Sequence, residues 1–270
     1  MANKVYQIGP FVLRSQIELP YLEVDVQDCH ATLEVSGEYP RPPGESDLSD
    51  GPILTELGWW AVFNRRVSSF VSQKGEIILA PQEQEGGRYM HALCAIRNFL
   101  MQRRVMLLHG SAVARNGEAV VWVGESGFGK STAAATEVAL RGATHLSDDV
   151  VPLFVDGLGR VVTFQCDRYA HLAIPPSEGL ESLAQALPQH TEVRRDGKGM
   201  YLLSPPDPTL YPIRRVIHPG FGLGSLEPEK VGSRGLKGLI SAVINLDIMQ
   251  RMLGLEHLAS LAKMLDQSAE

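Results

Sequence analysis

The stretch Gly124 to Ser131, read as GESGFGKS, constrains this chain more than any other. It fits G-x-x-x-x-G-K-S/T, a loop that wraps phosphate in backbone N–H groups. Gly124, Gly127 and Gly129 let the chain turn tightly and bring those groups close to an anion. Lys130 is placed to pair with β- and γ-phosphates, and the Ser131 hydroxyl to hold a magnesium ion bridging them. Glu125, Ser126, Phe128 and Thr132 complete the expected nucleotide-contacting run. Such a loop needs a strand before it and a helix after it. Ala119 to Val123 is an apolar run of strand length; Ser131 to Leu140 is rich in helix formers and stops at Gly142. The helix would aim its N-terminal dipole at the phosphates. A chance glycine-rich turn does not bring these flanks with it.

The rest of the chain is organised around that loop. Its 270 residues allow one large core, or a smaller domain beside a medium one. Residues 1–87 read as a β-rich N-terminal domain and 88–270 as the domain carrying the loop. Tyr6 to Gly9, Phe11 to Leu13, Tyr21 to Val26, Ala31 to Val35, Trp59 to Phe63, Ser68 to Ser72 and Glu76 to Ala80 are the strand candidates of the first domain. Pro40 to Pro52 reads as a loop. The Trp59–Trp60 pair offers either an aromatic ligand platform or, the favoured reading, a ring that closes the core.

From Tyr89 to Arg103 the spacing predicts a helix, with Tyr89, Leu93, Ile96, Phe99 and Leu100 near one face. Val105 to Ala114 is a largely apolar run with His109 at a strand end, and Asn116-Gly117 turns it into the strand that feeds the glycine loop. Thr144 to Ser147 is a strand ending in Asp148-Asp149, and Val150 to Val155 with Val161 to Phe164 a further hairpin. Glu178 to Ala186 is a short helix, Arg194 to Lys198 a basic turn, Ser204 to Pro208 a rigid loop and Arg215 to His218 a strand candidate. Gly220 to Gly224 reads as a flexible turn, and Leu236 to Leu265 as two helices or one broken one, with Ser233 as its cap.

The net charge of −6 argues against nucleic acid or an anionic membrane as a partner held by bulk electrostatics. Three cysteines, Cys29, Cys94 and Cys166, lack metal or redox spacing and suit a reducing cytoplasm. No signal peptide and no membrane span is visible, so the expectation is a cytoplasmic protein.

Phosphoryl transfer needs a metal-positioning carboxylate and a group that orients the attacking hydroxyl. Asp148 and Asp149 follow a strand after the loop's helix, where such a carboxylate belongs. On an extended chain they would point to opposite sides, one to the metal and one to the nucleophile, and spacing does not say which. The alternative is a solvated turn. His109, tied to the loop by a hairpin, reads as a helper of the base or a phosphate contact, or else as a hydrogen-bonded structural residue. Arg168, Arg194 and Lys198 are candidates for holding phosphate or an acidic substrate.

Leu108-His-Gly-Ser, then GESGFGKS, then Arg141-Gly142, then Leu146-Ser-Asp-Asp resembles the core of the HPr kinase family in order and spacing. The resemblance spans about residues 105–155. It implies an α/β P-loop kinase core of the HPr kinase/phosphoenolpyruvate carboxykinase type, with ATP and Mg2+ as cofactors. It also implies that His109, Lys130, Asp148 and Asp149 are catalytic, and that Ser131, Asp148 and Asp149 touch the metal. The Gly-rich segment that the carrier-protein kinases have downstream is missing. The opening residues, Tyr6 to Ser15 and Glu18 to Leu22, look like the smaller relatives that phosphorylate a serine of lasso peptide precursors. The expected partner is therefore a serine-containing peptide or protein. Free serine, or a nucleotide sensor without an acceptor, are the alternatives.

Overall fold

Alternating apolar and polar residues build the first compact unit, Met1–Val105, and a second unit follows from Met106. The structure, a computed structural model, describes residues 3–36, 38, 40, 42, 51–63, 65–81, 85–174, 180–193, 197–217 and 243–244.

The first unit contains β1 (Lys4–Ile8), β2 (Phe11–Ser15), β3 (Leu22–Glu23), β4 (Ala31–Val35), β5 (Gly51–Leu54), β6 (Gly58–Phe63), β7 (Arg66–Ser72), β8 (Glu76–Leu79) and α1 (Glu85–Gln102). The strands form one sheet in the order β3-β1-β2-β4-β8-β7-β6-β5, with β2–β4 and β4–β8 parallel. Every second residue points inward, so Ile8, Leu13, Leu33, Ile77 and Leu79 are buried. Helix α1 lies on β6, β7 and β8 and buries Leu93, Ile96, Phe99 and Leu100, the stripe its spacing predicts.

Two details differ from the sequence reading, and a third, the favoured core placement of a tryptophan, holds for both rings. Helix α1 falls within the first compact unit, which runs on to Val105 rather than stopping at residue 87. Gly51 and Pro52, expected in a loop, open β5; this strand is at the sheet edge, where a residue without an N–H is tolerated. Trp59 and Trp60 are both fully buried, so neither forms an exposed platform; the Trp60 indole N–H donates to the Pro40 carbonyl at 2.7 Å.

The second unit contains β9 (Met106–Leu108), β10 (Gly110–Arg115), β11 (Glu118–Val123), α2 (Lys130–Arg141), β12 (Thr144–Ser147), β13 (Val151–Val155), β14 (Val161–Thr163), β15 (Tyr169–Ala173), α3 (Glu181–Ala186), β16 (Glu192–Val193), β17 (Lys198–Leu202) and β18 (Tyr211–Ile217). A seven-stranded sheet has the order β12-β10-β11-β18-β14-β13-β9, and a three-stranded sheet the order β15-β17-β16. Asn116 and Gly117 both take positive φ, 54° and 82°, as a two-residue hairpin turn requires. Only β11 and β18 pair in parallel within the larger sheet; its other described pairs are antiparallel.

Helix α2 is packed on both sides through small residues. Ala134 meets Val113 and Trp122 of the larger sheet, and Ala135 meets Ala170, Leu172 and Tyr201 of the smaller one. It ends where Gly142 takes the left-handed conformation, φ 69°, as the sequence predicts.

The apolar run Val105 to Ala114 is not one strand. It breaks at His109, so that β9 pairs with β13 while β10 pairs with β11 and β12. Gly110 lies so close to the neighbouring strand that a Cβ there would sit 2.5 Å from the Trp122 carbonyl oxygen. Strands β15 and β17 were not foreseen, and Lys198 opens β17 rather than closing a turn.

Several expectations lie outside the described residues: the Gly220–Gly224 turn, most of the helical C-terminal stretch with its Ser233 cap, and the interior of the Pro40–Pro52 loop. Within that C-terminal stretch Val243 forms an isolated bridge with Leu108, and Ile244 donates its N–H to the Leu107 carbonyl, so these two residues pair with β9 rather than continuing a helix. The described chain is thus mixed α/β and mostly strand. Among the described residues, no helix is long and apolar enough to cross a membrane.

Candidate functional site

Strand β11 ends at Val123, and the glycine loop connects it directly to the first residue of α2, Lys130. Gly127 and Gly129 have φ of 88° and 80°, with open space where a Cβ would be. These glycines are therefore required by backbone conformation and not by crowding. Glu125, Ser126 and Gly129 are exposed, Phe128 is half-buried, and Ser131 and Thr132 begin the helix half-buried.

Lys130 is buried, with 6% of its surface exposed. Its ammonium donates to the carbonyls of Gly124 and Glu125 at 2.9 Å each, and lies 3.4 Å from His109 Nε2. Burial lowers its pKa and the nearby charge of Lys198 adds to this, while Asp148 and Asp149 oppose it. His109 Nδ1 is 3.1 Å from the Asp149 carbonyl oxygen. One tautomer satisfies both contacts: Nδ1–H donates to that carbonyl, and the Nε2 lone pair accepts from Lys130. His109 thus touches the backbone of Asp149 and links it to the loop lysine.

The acidic pair follows β12. Asp148 is fully buried. Its Oδ1 accepts from the Ser111 hydroxyl and its Oδ2 from the His171 backbone N–H at 2.8 Å. His171 is on β15, whose only sheet neighbour among the described residues is β17, so its N–H on the other side is left for the carboxylate. Asp149 is not extended. Its φ is 63°, and Val150 N–H donates across it to the Asp148 carbonyl at 2.8 Å, the bond of a γ-turn with a positive central φ. This form is rare and strained, and aspartate tolerates it better than most residues. The Asp149 carbonyl also accepts from Gly110 N–H at 3.3 Å.

The turn overturns the expectation of two carboxylates on opposite sides of an extended chain. Oδ2 of Asp148 and Oδ2 of Asp149 each lie 3.5 Å from Nδ1 of His171. All three side chains offer a ligand atom within 4.8 Å of one another. They differ in access: the Asp148 side chain is sealed, and that of Asp149 is 34% exposed. Burial would raise the Asp148 pKa, but the bonds from His171 and Ser111 outweigh it and hold the carboxyl well below its ordinary range. Burial likewise works against a charged His171, and the adjoining Asp148, Asp167 and Asp149 overcome it, so its pKa is raised.

The basic candidates separate. Lys198 is near enough for its charge to act on Lys130. Arg168 Nε donates to the Ser204 carbonyl at 2.9 Å, which ties it to the proline-rich loop. Arg194 and its neighbour Arg195 lie outside the described residues. The sequence reading missed His171 altogether and gave Ser111 no role beyond its place in a motif.

No protein-family model matches the chain, and neither does any curated protein.

Beneath the acidic pair, His145 of β12 is completely buried. Its backbone N–H donates to the Ser204 hydroxyl oxygen at 2.7 Å, and its carbonyl accepts from the Gln165 side chain at 2.9 Å. Burial pushes the imidazole down to about 4; Asp148 opposes this and His171 adds to it. In the unfolded chain a histidine takes its proton near pH ~6.5. Between about 6.5 and 4 the unfolded state therefore binds the extra proton, and stability falls as pH falls, by about 3 kcal/mol across the window. His171 is shifted upward, so its stabilising contribution is present below about 6.5 and fades above it, and the two windows do not overlap. The urea midpoint of the wild type should drop between pH 7 and pH 5. His145→Leu should lose most of that drop, with a smaller share kept by His91, which burial also lowers. An unchanged drop in His145→Leu would exclude this origin.

Proposed function

We propose that this chain is an ATP-dependent kinase that transfers a phosphoryl group to a serine hydroxyl of a peptide or protein, a ribosomally made precursor of the lasso type. In this reading the second unit is a P-loop kinase core of the HPr kinase type. The observation that carries it is one connected set of contacts: Lys130 at the glycine loop, His109, and the turn that presents Asp149. Phosphoryl transfer is mainly positioning and charge stabilisation, and this set joins a phosphate-directed cation to an accessible carboxylate without mobile linkers.

The residues fit magnesium and nucleotide. The loop glycines free backbone N–H groups, and Ser131 opens the first turn of α2. The hard oxygens of Ser131 and Asp149 suit Mg2+, which when bound neutralises phosphate charge. Asp149, being the exposed member of the pair, is the carboxylate that meets ligand and the acceptor hydroxyl. Asp148 has both oxygens engaged and acts as a positioning residue. His109 keeps Lys130 and the turn in register.

The test is transfer from radiolabelled ATP, offered a serine-containing precursor peptide, free serine, or no acceptor. Label in the peptide is the expected result. Label only in free serine would make the chain a small-molecule kinase. Nucleotide binding with no transfer to any acceptor would leave a sensor and end the kinase reading.

A further inference from the structure

His171 is 3% exposed, and neither of its ring nitrogens has a hydrogen-bond partner. A buried imidazole without partners is costly unless something else engages it. Its Nδ1 faces two carboxylate oxygens, each 3.5 Å away, which is beyond ordinary N–H···O length. That spacing has another meaning. Two donors each ~2.1 Å from a common ion, at a near-tetrahedral angle, stand roughly 3.4 Å apart. The two carboxylate oxygens and the nitrogen all lie within 4.8 Å of one another, so a shift of well under ~1 Å in the solvent-open Asp149 side chain brings all three within ~2.1 Å of one ion.

The ligand atoms are also held in place. Asp148 is fixed by Ser111 and by the His171 backbone, and Asp149 by its turn and by the bonds from Gly110 and His109 to its carbonyl. Outer contacts of this kind orient metal ligands and set affinity. The 34% exposure of Asp149 leaves an opening through which an ion and its waters enter.

Donor chemistry selects the ion. Magnesium demands oxygen and gives up water reluctantly. An imidazole among carboxylates favours manganese, zinc and their neighbours. We propose that Asp148, Asp149 and His171 form a binding site for a divalent first-row transition ion of the manganese or zinc kind, held without nucleotide. The proposal does not depend on the kinase reading, since the ion needs no phosphate to bind.

Mn2+ is the probe, with full-length, chelator-stripped and nucleotide-free protein. Titration followed by the EPR signal of free Mn2+ should give one tight ion per chain, with Mg2+ competing at least about 10-fold less well. Pulsed EPR of the bound ion should show coupling to a directly bound nitrogen. His171→Gln keeps a polar atom at the far end of the ring position but offers no donor at Nδ1. It should weaken Mn2+ binding by about 10-fold or more and abolish the nitrogen coupling. No Mn2+ binding, equal affinity for Mg2+, or bound Mn2+ without nitrogen coupling in the wild type would each overturn the proposal, even if His171→Gln fails to fold. Phosphoryl transfer is measured separately with magnesium and ATP, so either reading can fail without the other.

Discussion

Lys130→Ala should reduce phosphoryl transfer by about 10³-fold or more while the protein stays folded. Removing a preorganised charge at a developing transition-state charge typically costs about 10²–10³-fold, and here the same ammonium also orders the loop. Lys130 holds the Gly124 and Glu125 carbonyls and meets His109. The substitution therefore releases both sides of the site. The fold should survive because the loop is largely at the surface, with Glu125, Ser126, Gly127 and Gly129 exposed, so the freed carbonyls can turn to water. The Lys130 side chain also carries a desolvation cost, visible in its lowered pKa, which alanine removes. Turnover at saturating ATP and peptide, with a thermal melt of the same sample, gives the result. A folded Lys130→Ala protein that transfers phosphate at the wild-type rate would exclude the glycine loop as the nucleotide site.

Features set by neighbouring residues were legible in the sequence. The glycine loop, the helix after it and its stop at Gly142 depend on local backbone preferences, and the structure has them at the expected positions. The Asn116-Gly117 turn is of the same kind. What escaped depends on distant parts of the chain. The break at His109 is hidden in an apolar run because it marks a change of strand partners, from β13 to β11 and β12, that the run itself does not encode. Nothing in an Asp-Asp pair fixes φ, so the γ-turn at Asp149 had no local signal; it is held by Gly110 and His109 from another segment. His171 lies 23 residues from Asp148 and meets it through a strand edge that alternation alone does not define. The two tryptophans show the same limit. Alternation puts adjacent residues on opposite faces, but it does not say that both faces are buried there.

The two aspartates should fail in different ways. Asp149→Asn should cost about 10²-fold or more in turnover, the scale of a lost base or metal contact, with a melting temperature close to wild type. Its side chain is one-third open to solvent, and its backbone bonds do not involve the carboxylate. Asparagine also tolerates positive φ, so the turn persists. Asp148→Asn should lose both activity and stability. An asparagine there can keep its oxygen toward the His171 N–H and give its amide to the Ser111 oxygen, since a hydroxyl both donates and accepts. The hydrogen bonds are therefore retained in number but lose their ionic character, and His171 loses the buried negative charge beside it. The expected cost is about 1–3 kcal/mol of stability, the range for bonds to a charged group. The same linkage predicts the pH response: a carboxyl whose folded pKa is depressed stabilises above its unfolded value, ~3.9, and that contribution disappears as pH falls through the lower folded value. Asp148→Asn should thus lower the urea midpoint at pH 7 and flatten its fall in strong acid, while Asp149→Asn leaves the pH 7 midpoint unchanged. If Asp149→Asn turned over at the wild-type rate and Asp148→Asn alone were inactive, the buried carboxylate would have to reach the substrate itself. The site would then have to open around Asp148 during the reaction.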